Sequence, residues 1–319
     1  MKDIYDYSGE GLNIICSTSP EMFGAAGDGT ADDTVAIQAA VNDGGLVVFG
    51  SGKQYQVTGV IRLKSNTILE LNGATIISTG KHLFFNFLGD SVATGYNGNG
   101  NITIRNGKII GGAISFGHGQ RIRLENLDFS QSLNDHFLEI CACEDYRIER
   151  CSFVGMQYLT TSVMEYINID PCTRGAFPWL DSATSPFYDG AKNRGIAIDG
   201  CRFALGEGNW ANGFNAVGVH SGGDVSGDHE DIAITHCRVE GFTGCGLRIN
   251  DMAGVLIAAN DIRVSGDGIR VGDVADCDDV VIANNYVESE NGQKLAVTDG
   301  RCPNLTVAGN VAKGERQEY

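Results

Sequence analysis

Six phrases recur along the chain: YRIERCSF, IAIDGCRF, IAITHCRV, VLIAANDI, VVIANNYV and LTVAGNVA. In each, two apolar residues alternate with polar ones. A Cys or Asn follows, then one variable residue and one further apolar residue. The Cys or Asn positions are Cys151, Cys201, Cys237, Asn260, Asn285 and Asn310, the last four lying 23, 25 and 25 residues apart. A fixed period of about twenty to fifty residues is the mark of a solenoid. Short β-branched runs with period-two alternation, cut by Gly, Asn and Asp, make the repeating unit strand-based. One column of Cys and Asn predicts a stack of tight turns, with Asn bonding the backbone of the next turn and Cys acting as a small apolar filler.

A second set of phrases lies between these: AISFG, FLEIC, YINID, AVGVH, GLRIN and GIRVG. Alternation points Ile114/Phe116, Leu138/Ile140, Ile167/Ile169, Val217/Val219, Leu247/Ile249 and Ile269/Val271 inward. Two outward columns remain. One reads Ser115, Glu139, Asn168, Gly218, Arg248, Arg270; the other reads Gly117, Cys141, Asp170, His220, Asn250, Gly272. A polar, ionisable sheet face flanked by long loops is the expected cleft. Residues 1–20 read as an irregular leader, and coils are expected from near Gly45. Between them, residues 30–42 read as a short helix capped by Thr30, with Asp32 and Asp33 at its positive end and Ile37, Ala40 and Val41 on its apolar face. Such a helix would cover the first rung of a solenoid.

The opening stretch Glu21-Met22-Phe23-Gly24-Ala25, Gly27-Asp28-Gly29-Thr30-Ala31-Asp32-Asp33-Thr34 and Ala36-Ile37-Gln38-Ala39-Ala40, taken with the coils, resembles the pectate-lyase and tailspike superfamily. That resemblance covers nearly the whole chain. It implies an all-β fold, a right-handed parallel β-helix with an N-terminal capping α-helix, forming one domain over 21–319 with a loop insertion at 171–192. It also implies a setting in phage-tail depolymerases or related bacterial carbohydrate enzymes. Tailspike relatives are often trimers, so homotrimer and monomer both stay open.

Composition narrows the partners. The net charge is 23 − 40 = −17. This argues against nucleic acid or an anionic membrane surface as a partner. No apolar run approaches membrane-spanning length. Met1 to Asp6 lacks the apolar core of a signal peptide. Cytosolic synthesis is expected, with any exit by lysis, on a virion or by another route. The ten Cys read as reduced, buried thiols, since no CxxC pair stands beside a matching pair of ligands. Cys143, Cys277 and Cys302 each precede a ladder position by eight residues and suggest a second column. Cys151, Cys201 and Cys237 are spaced so that they would pair if oxidised. Asp273, Asp276, Asp278 and Asp279 lack the calcium-loop pattern and read as a solvated turn. No metal or cofactor is expected.

The leading chemistry is a pair of carboxylates. Glu139 and Asp170 belong to adjacent coils, offset by two residues, which places their Cα atoms roughly 8 Å apart. Glycoside hydrolysis uses two carboxyl groups about 5–5.5 Å apart for retention or about 6.5–9.5 Å apart for inversion. Glu139 and Asp170 are therefore the expected acid and base or nucleophile, with His220 tuning them and Glu165 a reserve acid. His136 and Asn168 would orient these groups or substrate. Arg248 and Arg270, stacked in one column, would clamp an anionic group unless acidic neighbours meet them. Asn250 is a further contact candidate. Trp179 in the 171–192 insertion and Trp210 and Phe214 in the next suit stacking on sugar rings; the alternative is a satellite core. Gly117-His118-Gly119 is similar to a short polygalacturonase motif, but the aspartate motifs that should precede it are absent, so no assignment is carried over. The expected function is hydrolysis of a glycosidic bond in a bacterial or host glycan. The rivals are a polysaccharide lyase working through the arginines, a sugar epimerase and a non-catalytic glycan-binding spike.

Overall fold

A computed structural model describes residues 4–6, 13–15, 17–133, 135–157, 165–211, 213–219 and 228–312. The chain is a right-handed parallel β-helix. Apart from one antiparallel pair, Ile4–Asp6 with Asn13–Ile15, the described strands pair in parallel with the coil before and the coil after. The expectation of coils from near Gly45 is corrected at the start. Ser17–Thr18 already pairs with Gly45–Val48, and Asp28–Asp32 pairs with Gln54–Val57.

The capping helix α1 spans Thr34–Asp43, later than the sequence suggests. Thr30 lies in the strand Asp28–Asp32 instead. The acidic run explains the delay. The Asp28 carboxylate accepts from the Thr30 and Ala31 amides, and the Asp33 carboxylate from those of Ala26 and Gly27 at 2.6 and 3.1 Å. These local bonds compete with helix for the same backbone donors. The expected face is right: Ile37, Ala40 and Val41 are fully buried.

The ladder column forms as predicted, and its chemistry is regular. The residue before each member takes a left-handed conformation: Arg150, Gly200, His236, Ala259, Asn284 and Gly309 all have φ between 53° and 64°. The side chain of each Asn then bonds the backbone of the coil before it. Asn285 donates to the Ile257 carbonyl at 2.9 Å and accepts from the Asn260 amide at 3.0 Å. The Cys members turn their sulfur to the equivalent carbonyls, Cys201 to Ile148 and Cys237 to Ile198. A thiol thus replaces an amide donor without changing the turn. The nine described cysteines are all free. Cys143 and Cys277 are buried, and Cys277 shares a column with His229 and Met252. Asn285→Ala leaves the Asn260 amide unmet in a buried turn. It is expected to lower stability by about 1–3 kcal/mol, read by urea unfolding.

The lumen is filled by one continuous core running from Ile37 to Val287, and all the predicted inward pairs belong to it. Aromatic rings stack on successive coils: Phe129 on Phe153 at 4.7 Å and Phe153 on Phe203 at 5.1 Å, both nearly coplanar.

Candidate functional site

One sheet carries the candidate residues. Its nine parallel strands are β1 (Ile61–Arg62), β2 (His82–Phe85), β3 (Ala113–Gly117), β4 (Leu138–Cys141), β5 (Glu165–Asp170), β6 (Asn215–Gly218), β7 (Cys245–Ile249), β8 (Asp267–Val271) and β9 (Leu295–Val297). The register aligns Ser115, Glu139, Asn168 and Gly218 in one column and Arg248 with Arg270 below it. Gly117, Cys141 and Asp170 form the next. Over these residues both outward columns have the expected register. Asp170 is one rung and two residues from Glu139.

A third outward column was hidden by the alternation rule. Phe137 and Leu138, Tyr166 and Ile167, and Ala216 and Val217 are each two successive residues buried in the lumen. Doubling the inward step restores the preceding residue to the outer face. His136, Glu165 and Asn215 therefore join Glu139, Asn168 and Gly218 there, three positions earlier on each rung. Strict alternation would point His136 and Glu165 inward, but it is not expected to hold at the turns where the sequence puts them, and the doubled step turns them outward.

The face is not an open cleft. Glu165 and Asp170 are 0% exposed, Asn168 1% and Glu139 2%. Glu139 accepts from the Asn168 side-chain amide at 3.0 Å, and its other oxygen lies 3.6 Å from His136 Nε2. His136 Nδ1 lies 2.5 Å from the Glu165 carbonyl oxygen, which makes Nδ1 the donor. The His136 amide donates to Asp135, whose second oxygen is 3.2 Å from His82 and 3.4 Å from Lys81. Burial pushes the Glu139 carboxyl well above the usual range. Asp170 and Asp135 push the same way, and the Asn168 hydrogen bond only partly opposes them. Glu139 is thus a weaker acid than a free carboxyl, and His82 and Lys81 are members of the cluster that sequence reasoning missed. His220 lies outside the described residues.

Further along the sheet the charges pair among themselves. Arg248 lies 3.6 Å from Glu165 and 3.2 Å from Asp273; Arg270 lies 2.8 Å from Asp267 and 3.6 Å from Asp273. Asn250 donates to Asp273 at 2.6 Å. Burial raises the Asp273 carboxyl, but the Asn250 bond and both arginines outweigh it and hold it low. Asp273 therefore bridges two arginines, which corrects its reading as a solvated turn. Gly218 makes the Glu165–Arg248 approach possible, because a Cβ there would meet Arg248 Cβ at 3.0 Å and Glu165 Cγ at 3.1 Å.

The insertion 171–192 builds a satellite core. Phe177, Leu180 and Phe187 bury with Phe85, Phe87, Cys141 and Cys172, and Trp179 packs on His82 and Phe85 at 4.6 and 5.5 Å. Trp179 is therefore a packing residue in this arrangement, next to the Asp135–His82 pair. His118 pins the assembly. It is fully buried, with Nδ1 2.6 Å from the Gly95 carbonyl and Nε2 2.7 Å from that of Phe187. His118→Ala is expected to release both loops, seen as faster protease cleavage within 171–192 while the coils stay protected. Among the described residues no cluster of His, Cys, Asp and Glu could hold a metal ion. No described helix is long and apolar enough to cross a membrane.

Comparison with known proteins agrees with this architecture. The family described as right handed beta helix region matches residues 181–317. The plasmin and fibronectin-binding protein A of Streptococcus pneumoniae is 26% identical in an alignment 295 positions long that covers 79% of this chain. This chain spans about 40% of that relative's length. A crystal structure of PfbA, a surface adhesin of Streptococcus pneumoniae, superposes with a TM-score of 0.80 at 23% identity, covering 93% of this chain and 80% of the other. A tailspike variant of E. coli bacteriophage HK620, in complex with pentasaccharide, superposes at 0.63 and 13% identity, covering 98% and 60%. A capsule-specific depolymerase of Klebsiella phage K64-1 is 47% identical over 51 residues, 15% of this chain and 7% of that protein.

Proposed function

We propose, from the premise that this chain is a right-handed parallel β-helix similar to a surface adhesin and to glycan-bound tailspikes, that it binds a polysaccharide and hydrolyses a glycosidic bond in it. The observation that carries the reading is Glu139: a buried carboxyl made a weaker acid by its surroundings, one rung and two residues from a second carboxyl, Asp170. Two carboxyl groups on adjacent coils, one of them made a weaker acid by burial, suit an acid and its partner base. Glu139 donates its proton to the leaving oxygen. Asp170 is the base or nucleophile. Asn168 and His136 hold Glu139 in place.

The lyase alternative is less favoured, because the charges of Arg248 and Arg270 are met by Glu165, Asp267 and Asp273. A purely adhesive role has one observation in its favour, the burial of both carboxyl groups. Digestion of a panel of bacterial capsular and host glycans separates the three. Products heavier by one water per cut, lost in Glu139→Gln, support hydrolysis. Ultraviolet-absorbing products mean a lyase. Bound but intact glycan means an adhesin.

A further inference from the structure

We propose that a groove at the corner leading into β2, β3 and β4 binds one pyranose ring of the glycan, with Trp210 as its stacking platform. The inference rests on the glycan reading above and adds a subsite to it.

The groove follows from unequal turn lengths. The connections into β2 and β3 are short, residues 79–81 and 111–112. Described residues 205–211, on the long connection into β6, supply a wall through Trp210. A short 3-10 helix, Gly208–Trp210, shapes that wall, and a bridge from Ala211 to Met156 fixes it to the coil. The floor includes Ser78, Thr79, Gly80, Lys81, Gly111 and Gly112, with Gln131 and Leu133 between floor and wall. The enclosed volume is about 500 Å³, within the range of about 300–1,000 Å³ usual for small-ligand sites.

Its lining suits a sugar. Trp210 is partly exposed, and Leu133 is exposed beside it. An indole supplies a broad apolar face with little conformational freedom to lose, which matches the C–H face of a pyranose. Ser78, Thr79, Lys81 and Gln131 supply donors and acceptors for its hydroxyl groups. One lining residue, Lys81, also contacts the carboxyl cluster. Lys81 lies 3.4 Å from Asp135, the Asp135 carboxylate accepts from the His136 amide, and His136 lies 3.6 Å from Glu139. A ring seated here would lie against Lys81, the outer end of that chain of contacts.

The test measures binding of Glu139→Gln protein to an array of bacterial capsular and lipopolysaccharide oligosaccharides, and cleavage by protein with Glu139 intact. Trp210→Ala is expected to weaken binding about tenfold and to raise KM with kcat nearly unchanged. Trp210→Phe should restore most of the loss. Thr79→Trp, which fills the groove and leaves Trp210 in place, should reproduce it. Binding and KM unchanged in Trp210→Ala and Thr79→Trp, with cleavage still dependent on Glu139, would overturn the subsite and leave the hydrolase reading intact. An array on which Glu139→Gln protein binds nothing would overturn both.

Discussion

Glu139→Gln is expected to reduce glycan cleavage by about 10²–10⁴-fold, the usual worth of a positioned general acid. The same change should raise thermal stability at neutral pH. Both effects come from the buried carboxyl, whose pKa burial, Asp170 and Asp135 raise together. The folded state therefore binds its proton more tightly than the unfolded state does. Stability from this group is present below the unfolded value and falls as pH rises from there toward the raised folded value. The amide has no proton to lose, so its stability curve should be flatter over that window. Activity has the same sign, since a general acid works only while protonated: the wild-type rate should fall on the alkaline side as Glu139 ionises. Asp170→Asn should remove cleavage as well, while leaving binding of the glycan in place. A pH series of initial rates, beside melting curves of wild type and Glu139→Gln, checks all of this. A Glu139→Gln variant that loses cleavage because it melts earlier would mean that the residue is structural. Cleavage that survives in both variants would place the chemistry elsewhere.

Phe153→Ala should cost about 3–5 kcal/mol of stability, the range for a large aromatic deleted from a packed core. Phe153 is fully buried between two coplanar neighbours, Phe129 at 4.7 Å and Phe203 at 5.1 Å, with Phe137 at 5.8 Å. The backbone around it is held by parallel pairing on both sides, so the cavity has little freedom to collapse. In a solenoid each coil contacts only its neighbours, and loss at one coil weakens the two interfaces it shares. The break is therefore expected at mid-helix. Hydrogen exchange should quicken first in Gln120–Leu133 and Ser152–Gln157 rather than at the ends. Phe153→Leu, which keeps most of the volume, should lose much less. Equal stability in the two variants would show that the coil repacks around the hole.

The cluster around Glu139 was only partly legible in the sequence. The columns Ser115–Glu139–Asn168–Gly218 and Gly117–Cys141–Asp170 follow from period-two alternation and equal register, and they stand as read. The third column, His136–Glu165–Asn215, could not follow from that rule. It depends on two successive inward residues at each strand's start, a local break that apolar patterning alone does not announce. The partners of the arginines were hidden for a related reason. Glu165 and Asp273 lie 83 and 25 residues from Arg248, and only the coil pitch brings them to it, whereas Asp267 and Asp273 are each three residues from Arg270. Trp179 and Trp210 illustrate the same limit. Both fall in insertions, yet one packs into a satellite core and the other lines a groove.

By itself, the sequence determined the repeat, the inward faces and the Cys/Asn ladder. Each of these is set by contacts that recur at a constant spacing, so a one-dimensional pattern carries them. Only the tertiary structure decided which outward residues are buried, which charges meet and which carboxyl is made the weaker acid. Those depend on loops that obey no period, on where they fold back over the sheet, and on the removal of water that follows.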